Sequence, residues 1–86
     1  MRYKKQLRVT FRKLRDDMLL VKGDTVFQVN DLSVFIWQNC DGVRTVGDLV
    51  DLILGKYEID RETAVADCTA FLQEAINSGL LVAVEG

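Results

Sequence analysis

Between Thr25 and Gly42 the chain reads TVFQVNDLSVFIWQNCDG, and within it a strand pattern becomes a helix pattern across one polar residue. Thr25, Phe27 and Val29 alternate with Val26 and Gln28, the period-two spacing of a half-buried strand rich in β-branched and aromatic residues. Asn30 ends that strand. Its short side-chain oxygen can accept from the unpaired N–H groups that follow, and Asp31 puts a carboxylate at the positive end of the helix so begun. Leu32, Ile36 and Cys40 fall four apart on one helix face, with Phe35 and Trp37 widening the stripe. Asp41-Gly42 stops it. A chain with this join sets a strand beside helices, which points to the α+β class.

The flanking segments follow the same logic. Met1 to Gln6 has no periodicity and reads as a loose arm. Leu7, Val9, Phe11 and Lys13 then alternate with Arg8, Thr10, Arg12 and Leu14, giving strand one with one mainly apolar and one mainly basic side. Arg15-Asp16-Asp17 is a turn, and Met18 to Lys22 a second strand. Gly23-Asp24 is a two-residue hairpin turn whose first residue supplies the positive φ of type II′. With Thr25 to Val29 as strand three, the three should pair as an antiparallel meander.

Thr45 with Asp48 three residues on is a capping-box variant, so a second helix is expected from Val46 to about Tyr57, burying Val46, Leu49, Val50, Ile53 and Tyr57. Gly47 and Gly55 each weaken it by about 1 kcal/mol relative to Ala. Asp60 is placed to cap a third helix. A wheel centred on Val65 gathers Leu72, Ile76 and Thr69, while Ala64, Cys68, Phe71 and Ala75 extend the apolar face along one flank. Ser78-Gly79 ends this helix, and Leu80 to Val84 is expected to add a short terminal strand. The expected architecture is one domain over residues 1–86, winged helix-turn-helix-like, with a three-stranded antiparallel N-terminal sheet followed by three helices.

Eighty-six residues, 49% of them apolar, supply one small core. A domain of this size buries roughly 60 to 65% of its unfolded surface, so a surface groove is easier to accommodate than a deep catalytic cavity. Two cysteines without CxxC spacing, no signal peptide and no 18-residue apolar run read as a cytosolic, soluble chain with no membrane partner. Residues 1–15 carry seven bases and no acid, leaving 4 bases and 13 acids in the other 71 residues. That asymmetry is either a solvated surface or an attraction for an acidic partner segment.

No catalytic constellation is visible, and the chain reads as a non-enzyme without metal or cofactor. Histidine, the commonest general base, is absent. Cys40 and Cys68 lie on apolar helix faces as small hydrophobes and cannot complete a zinc set alone. Asp48, Asp51, Asp60 and Glu62 sit at helix starts, which accounts for them electrostatically. Gly42 and Gly47, read as part of a helix-turn-helix, match no phosphate-binding loop. Trp37 fits either a core position or a partner contact. The winged-helix outline raises nucleic-acid binding or transcription regulation as an alternative function. Its third helix, however, carries Glu62, Asp67 and Glu74 against Arg61, the wrong sign for phosphate.

Peptide recognition remains. Small residues beside an aromatic on the third helix (Ala64, Cys68, Phe71, Ala75) leave a furrow, and strand three is a sheet edge with a row of unpaired backbone groups. Edge and furrow suit strand addition by an extended peptide, although which alternate residues face the edge stays open. Val29-Asn30 and Cys40-Asp41-Gly42-Val43-Arg44-Thr45-Val46, with the intervening short helix, resemble the PqqD-like family of peptide-recognition domains from about Phe11 to Val82. The family run is similar: a strand ending in Leu-Asn, a short helix, and Cys-Asp-Gly-x-x-Thr-Val before a second helix. The resemblance implies that the chain binds the leader of a ribosomally made precursor peptide between strand three and helix three. It also implies delivery of that leader to a radical-SAM protein or to the leader protease and cyclase of lasso-peptide pathways. The lack of proline and the character of the N-terminal strand favour the lasso type. The peptide-binding positions on this reading are Thr25, Val26, Phe27, Gln28, Val29, Ala64, Asp67, Cys68, Phe71 and Ala75.

Overall fold

The structure, a computed structural model, describes residues 2–84. Nine elements follow in order: β1 (Arg2–Lys5), β2 (Val9–Leu14), β3 (Asp17–Lys22), β4 (Thr25–Val29), α1 (Asp31–Gln38), β5 (Asp41–Thr45), α2 (Val46–Lys56), α3 (Arg61–Asn77) and β6 (Leu81–Val84). The expected meander is present as the antiparallel sheet β2-β3-β4, with Leu20 opposite both Phe11 and Phe27. Gly23 closes its second hairpin at φ +57°, the left-handed region that glycine enters without a Cβ clash. Beside it stands a second antiparallel sheet, β5-β1-β6, which the sequence reading did not contain.

That second sheet corrects the N-terminal expectation. Arg2 to Lys5 is no loose arm but the middle strand, paired to β6 from Arg2–Val84 to Lys5–Leu81 and to β5 from Arg2–Thr45 to Lys4–Asp41; Met1 lies outside the described residues. Two of its three cations, Arg2 and Lys5, are tied to backbone oxygens. Arg2 Nε donates to Val43 O at 2.8 Å, and Lys5 Nζ donates to Gln38 O at 3.0 Å and Cys40 O at 3.3 Å. Lys5 thereby places a positive charge at the carbonyl end of α1, where the helix dipole favours it. The link between α1 and α2 is likewise a strand, β5, rather than a helix-turn-helix loop. Gly42 at φ +82° lets β5 start there, with the Asp41 carboxylate accepting from Val43 N–H and Arg44 N–H at 2.9 Å each.

The capping chemistry holds at two of three helices. Asn30 accepts from Ser33 N–H at 2.8 Å, and the Thr45–Asp48 box is reciprocal at 3.2 and 2.9 Å. Asp60 occupies the N-cap position of α3 in extended backbone, but its side chain makes no capping hydrogen bond. Leu20 carries the core across from the meander to Ile36, Leu49, Val50, Ile53 and Leu72, all 2% exposed or less. Each such side chain contributes about 1.5–3 kcal/mol on burial. Trp37 belongs to this core, 6% exposed, its indole N–H donating to Leu80 O at 3.3 Å. The stripe that α3 buries is Ala64, Cys68, Leu72 and Ala75, whereas Val65, the expected centre, is 40% exposed. The small residues let α2 and α3 pack closely, so the interior lies toward the flank with the least side-chain volume.

Candidate peptide-binding trough

β4 pairs with β3 along one edge only, so its other edge is the border of the sheet. The register settles which residues face that border. A two-residue loop makes its flanking residues, Lys22 and Thr25, a hydrogen-bonded pair, and such pairs alternate along the ladder. Thr25, Phe27 and Val29 therefore bond to β3, while Val26 and Gln28 turn their N–H and C=O groups outward. Side chains alternate on the perpendicular axis. Phe27 and Val29 pack on the core, while Val26 is 57% exposed and Gln28 reaches along the surface to donate to Asp17 Oδ1 at 3.1 Å.

Between this border and α3 runs a trough in two adjoining parts. The first, about 340 Å³, is lined by Phe27, Gln28 and Val29 from β4, Asn30 and Ser33 from the start of α1, Phe71, Glu74 and Ala75 from α3, and Ser78 and Leu80 beyond it. The second, about 270 Å³, continues over Leu32, Ile36, Asp67 and Ala70 and shares Asn30, Ser33, Phe71 and Glu74 with the first. The Asn30 cap fixes the corner where strand becomes helix, and with it the wall facing α3.

Of the residues expected at a peptide site, Phe27, Gln28, Val29, Asp67, Phe71 and Ala75 line this trough. Thr25 and Val26 lie on β4 toward its hairpin and outside the lining. Ala64 and Cys68 are fully buried, so the furrow expected over them is filled by core packing. Ala75 forms the floor but is itself 0% exposed. Asn30, Ser33, Glu74, Ser78 and Leu80 were not foreseen. Glu74 had a legible signal, one turn beyond Phe71 on the same flank, whereas Asn30 and Ser33 were visible only as cap chemistry.

The thiols offer no reactive centre. Burial pushes Cys40 up to about 12, reinforced by the neighbouring Cys68 thiol against a smaller opposing effect of Lys5, and Sγ donates to Ile36 O at 3.2 Å. Burial alone pushes Cys68 up to about 11. Asp41 and Asp48 are held below the ordinary carboxylate value chiefly by backbone N–H groups, of Arg44 and Val43 for the first and of Thr45 for the second. What the trough offers is shape, apolar surface and backbone bonding capacity.

Residues 17–81 match the family described as coenzyme PQQ synthesis protein D (PqqD). The chain belongs to the PqqD family. Among curated relatives, the PqqA binding protein of Rhodopseudomonas palustris (strain HaA2) is 32% identical over 74 residues, 86% of this chain and 72% of that protein. The PqqA binding protein of Bradyrhizobium diazoefficiens is 28% identical with the same coverage. Among solved structures, TbiB1 in complex with the TbiA(beta) leader peptide has a TM-score of 0.76 at 25% identity, covering 96% of this PqqD-family chain and 99% of that one. Lasso peptide synthetase B1 complexed with the leader peptide shares the fold, with a TM-score of 0.79 at 19% identity and coverage of 96% and 100%. The family match starts at the first residue of β3 and ends at the first residue of β6.

Proposed function

We propose that this PqqD-family chain binds the leader segment of a ribosomally made precursor peptide as a strand added to β4, seated in the trough against α3, and presents it to a modifying enzyme. The observation that carries the reading is a sheet border with outward-facing N–H and C=O groups at Val26 and Gln28 along the mouth of a partly apolar trough. It is supported by relatives described as PqqA binding proteins and by the structural likeness to TbiB1, which was solved with a leader peptide. Each added backbone bond contributes a net ~0.5–1.5 kcal/mol and ordering of the peptide opposes it, so side chains seated in the trough must supply most of the affinity.

On this reading the domain recognises and delivers, and the chemistry belongs to its partner, a radical-SAM protein or a leader protease and cyclase. The nucleic-acid alternative is disfavoured by charge. The three acids of α3 remain, and its Arg61 is engaged by Asp51 at 2.8 Å. No described helix is long and apolar enough to cross a membrane.

The test is calorimetric titration with synthetic leader segments of any small precursor found among the neighbouring genes, with amide exchange followed in parallel. Saturable binding with new protection at Val26 and Gln28 is expected. Binding that leaves those two amides unprotected would refute the strand-addition mode, and no binding at all would refute the function.

A further inference from the structure

The two parts of the trough are lined by exactly two charged residues, Asp67 and Glu74, and both are acids; no lysine or arginine lines either part. Neither acid has a hydrogen-bonded or ion-paired partner among the described residues, where the ion pairs are Arg44–Asp41 and Arg61–Asp51. They are seven residues apart on α3, which puts them on one stripe about 10 Å apart at 1.5 Å rise per residue. Phe71 lies on the same stripe between them and lines both parts of the trough. An aromatic ring between two carboxylates suits the long side chains of lysine and arginine, whose methylene stems lie on apolar surface while the head group stays polar. An apolar peptide seated here would strip water from both carboxylates and return nothing.

We infer that Asp67 and Glu74 select a leader bearing basic side chains on its α3 side, an inference that rests on the leader-binding reading above. An extended peptide advances about 3.3 Å per residue and presents alternate side chains to one side, so the two cations fall two or four residues apart.

A selection from random twelve-residue display peptides on the intact immobilised protein tests this, with Ser33→Trp as the blocked-trough reference and Asp67→Lys/Glu74→Lys as the charge-reversed protein. All three positions are on the trough wall, and circular dichroism establishes that each variant is folded. The expected pool is lost on Ser33→Trp and enriched in Lys or Arg at two positions of equal parity. It binds the charge-reversed protein about tenfold more weakly, and that protein selects Asp or Glu at those positions. A pool that needs the open trough but shows no basic enrichment, or is unchanged by charge reversal, overturns the inference and leaves the leader-binding reading standing. A pool that binds the Ser33→Trp protein equally well overturns that reading, and the inference with it.

Discussion

Proline at neighbouring positions of β4 should give opposite failures. Gln28 N–H faces the sheet border, so Gln28→Pro keeps the β3–β4 ladder whole and loses only a surface bond to Asp17. The destabilisation should stay within about 1 kcal/mol, or some 4–8 °C in Tm for a domain this size. The added strand, in contrast, loses a bond of about 0.5–1.5 kcal/mol and is pushed from its spacing of about 4.8 Å by the ring, so leader affinity should fall at least about tenfold. Phe27 N–H faces β3, opposite Leu20, which is 0% exposed. Phe27→Pro orphans the Leu20 carbonyl at about 1–3 kcal/mol and also removes a half-buried ring, together about 3–6 kcal/mol against a total stability of about 5–15. Phe27→Ala separates the ring from the backbone effect. Thermal unfolding by circular dichroism and anisotropy of a fluorescent leader read the two axes. A folded Phe27→Pro beside an unfolded Gln28→Pro would show the assigned parity to be wrong, and a Gln28→Pro protein that is folded and binds normally would remove β4 as the docking edge.

Deleting residues 1–5 takes the middle strand from β5-β1-β6 and the Lys5 cap from α1, so Tm should fall by more than about 10 °C; an unchanged Tm would mean that β1 adds nothing to the fold. Thr45→Ala should cost about 1 kcal/mol through the lost α2 cap, measured by denaturant unfolding. Asp48 titrates below its ordinary 3.8 in the folded protein, so its stabilisation is complete above pH 3.8 and is lost as pH falls through the lower folded value. Asp48→Asn should accordingly flatten the acid limb of the stability curve, and an unaltered limb would rule this carboxylate out as its source. With thiols at about 12 and about 11, Cys40 and Cys68 should resist iodoacetamide at pH 8 until denaturant is added. Rapid labelling of the native protein at either site would contradict their burial.

Local chemistry was legible in the sequence wherever its cause was local. The meander, the Asn30 and Thr45 caps and the extents of α2 and α3 follow from alternation, turn residues and cap spacing within a few positions of each element. β1 and β5 were not legible, because RYKK and DGVRT have no strand-like alternation of their own. They are strands because residue 2 meets residues 45 and 84, a pairing that tertiary packing alone creates. The buried face of α3 was misjudged by one flank for a related reason. A wheel weighted by large side chains points at Val65, while close helix packing selects the small ones, Ala64, Cys68 and Ala75. The trough was half legible: the β4 border and Phe71 could be read, but its acid wall and the Ser33 corner depend on how α1 is set against α3.

The middle position of β1 has a consequence for synthesis. This strand is made well ahead of one of its two neighbours, β6, which ends at Val84. At 5–20 residues per second, β1 waits roughly 4 to 16 s on the ribosome before that partner exists. Through that interval its β6-facing edge is satisfied by water alone or by the wrong strand, and the charges of Arg2, Lys4 and Lys5 help keep nascent chains apart. Closure of β5-β1-β6 is a high-separation contact, so it belongs at the slow end of the folding reaction, after the meander and helices have formed. A chaperone or a crowded translation site would meet this domain as a trough already built on β4 and α3, with its N-terminal strand still in search of a place.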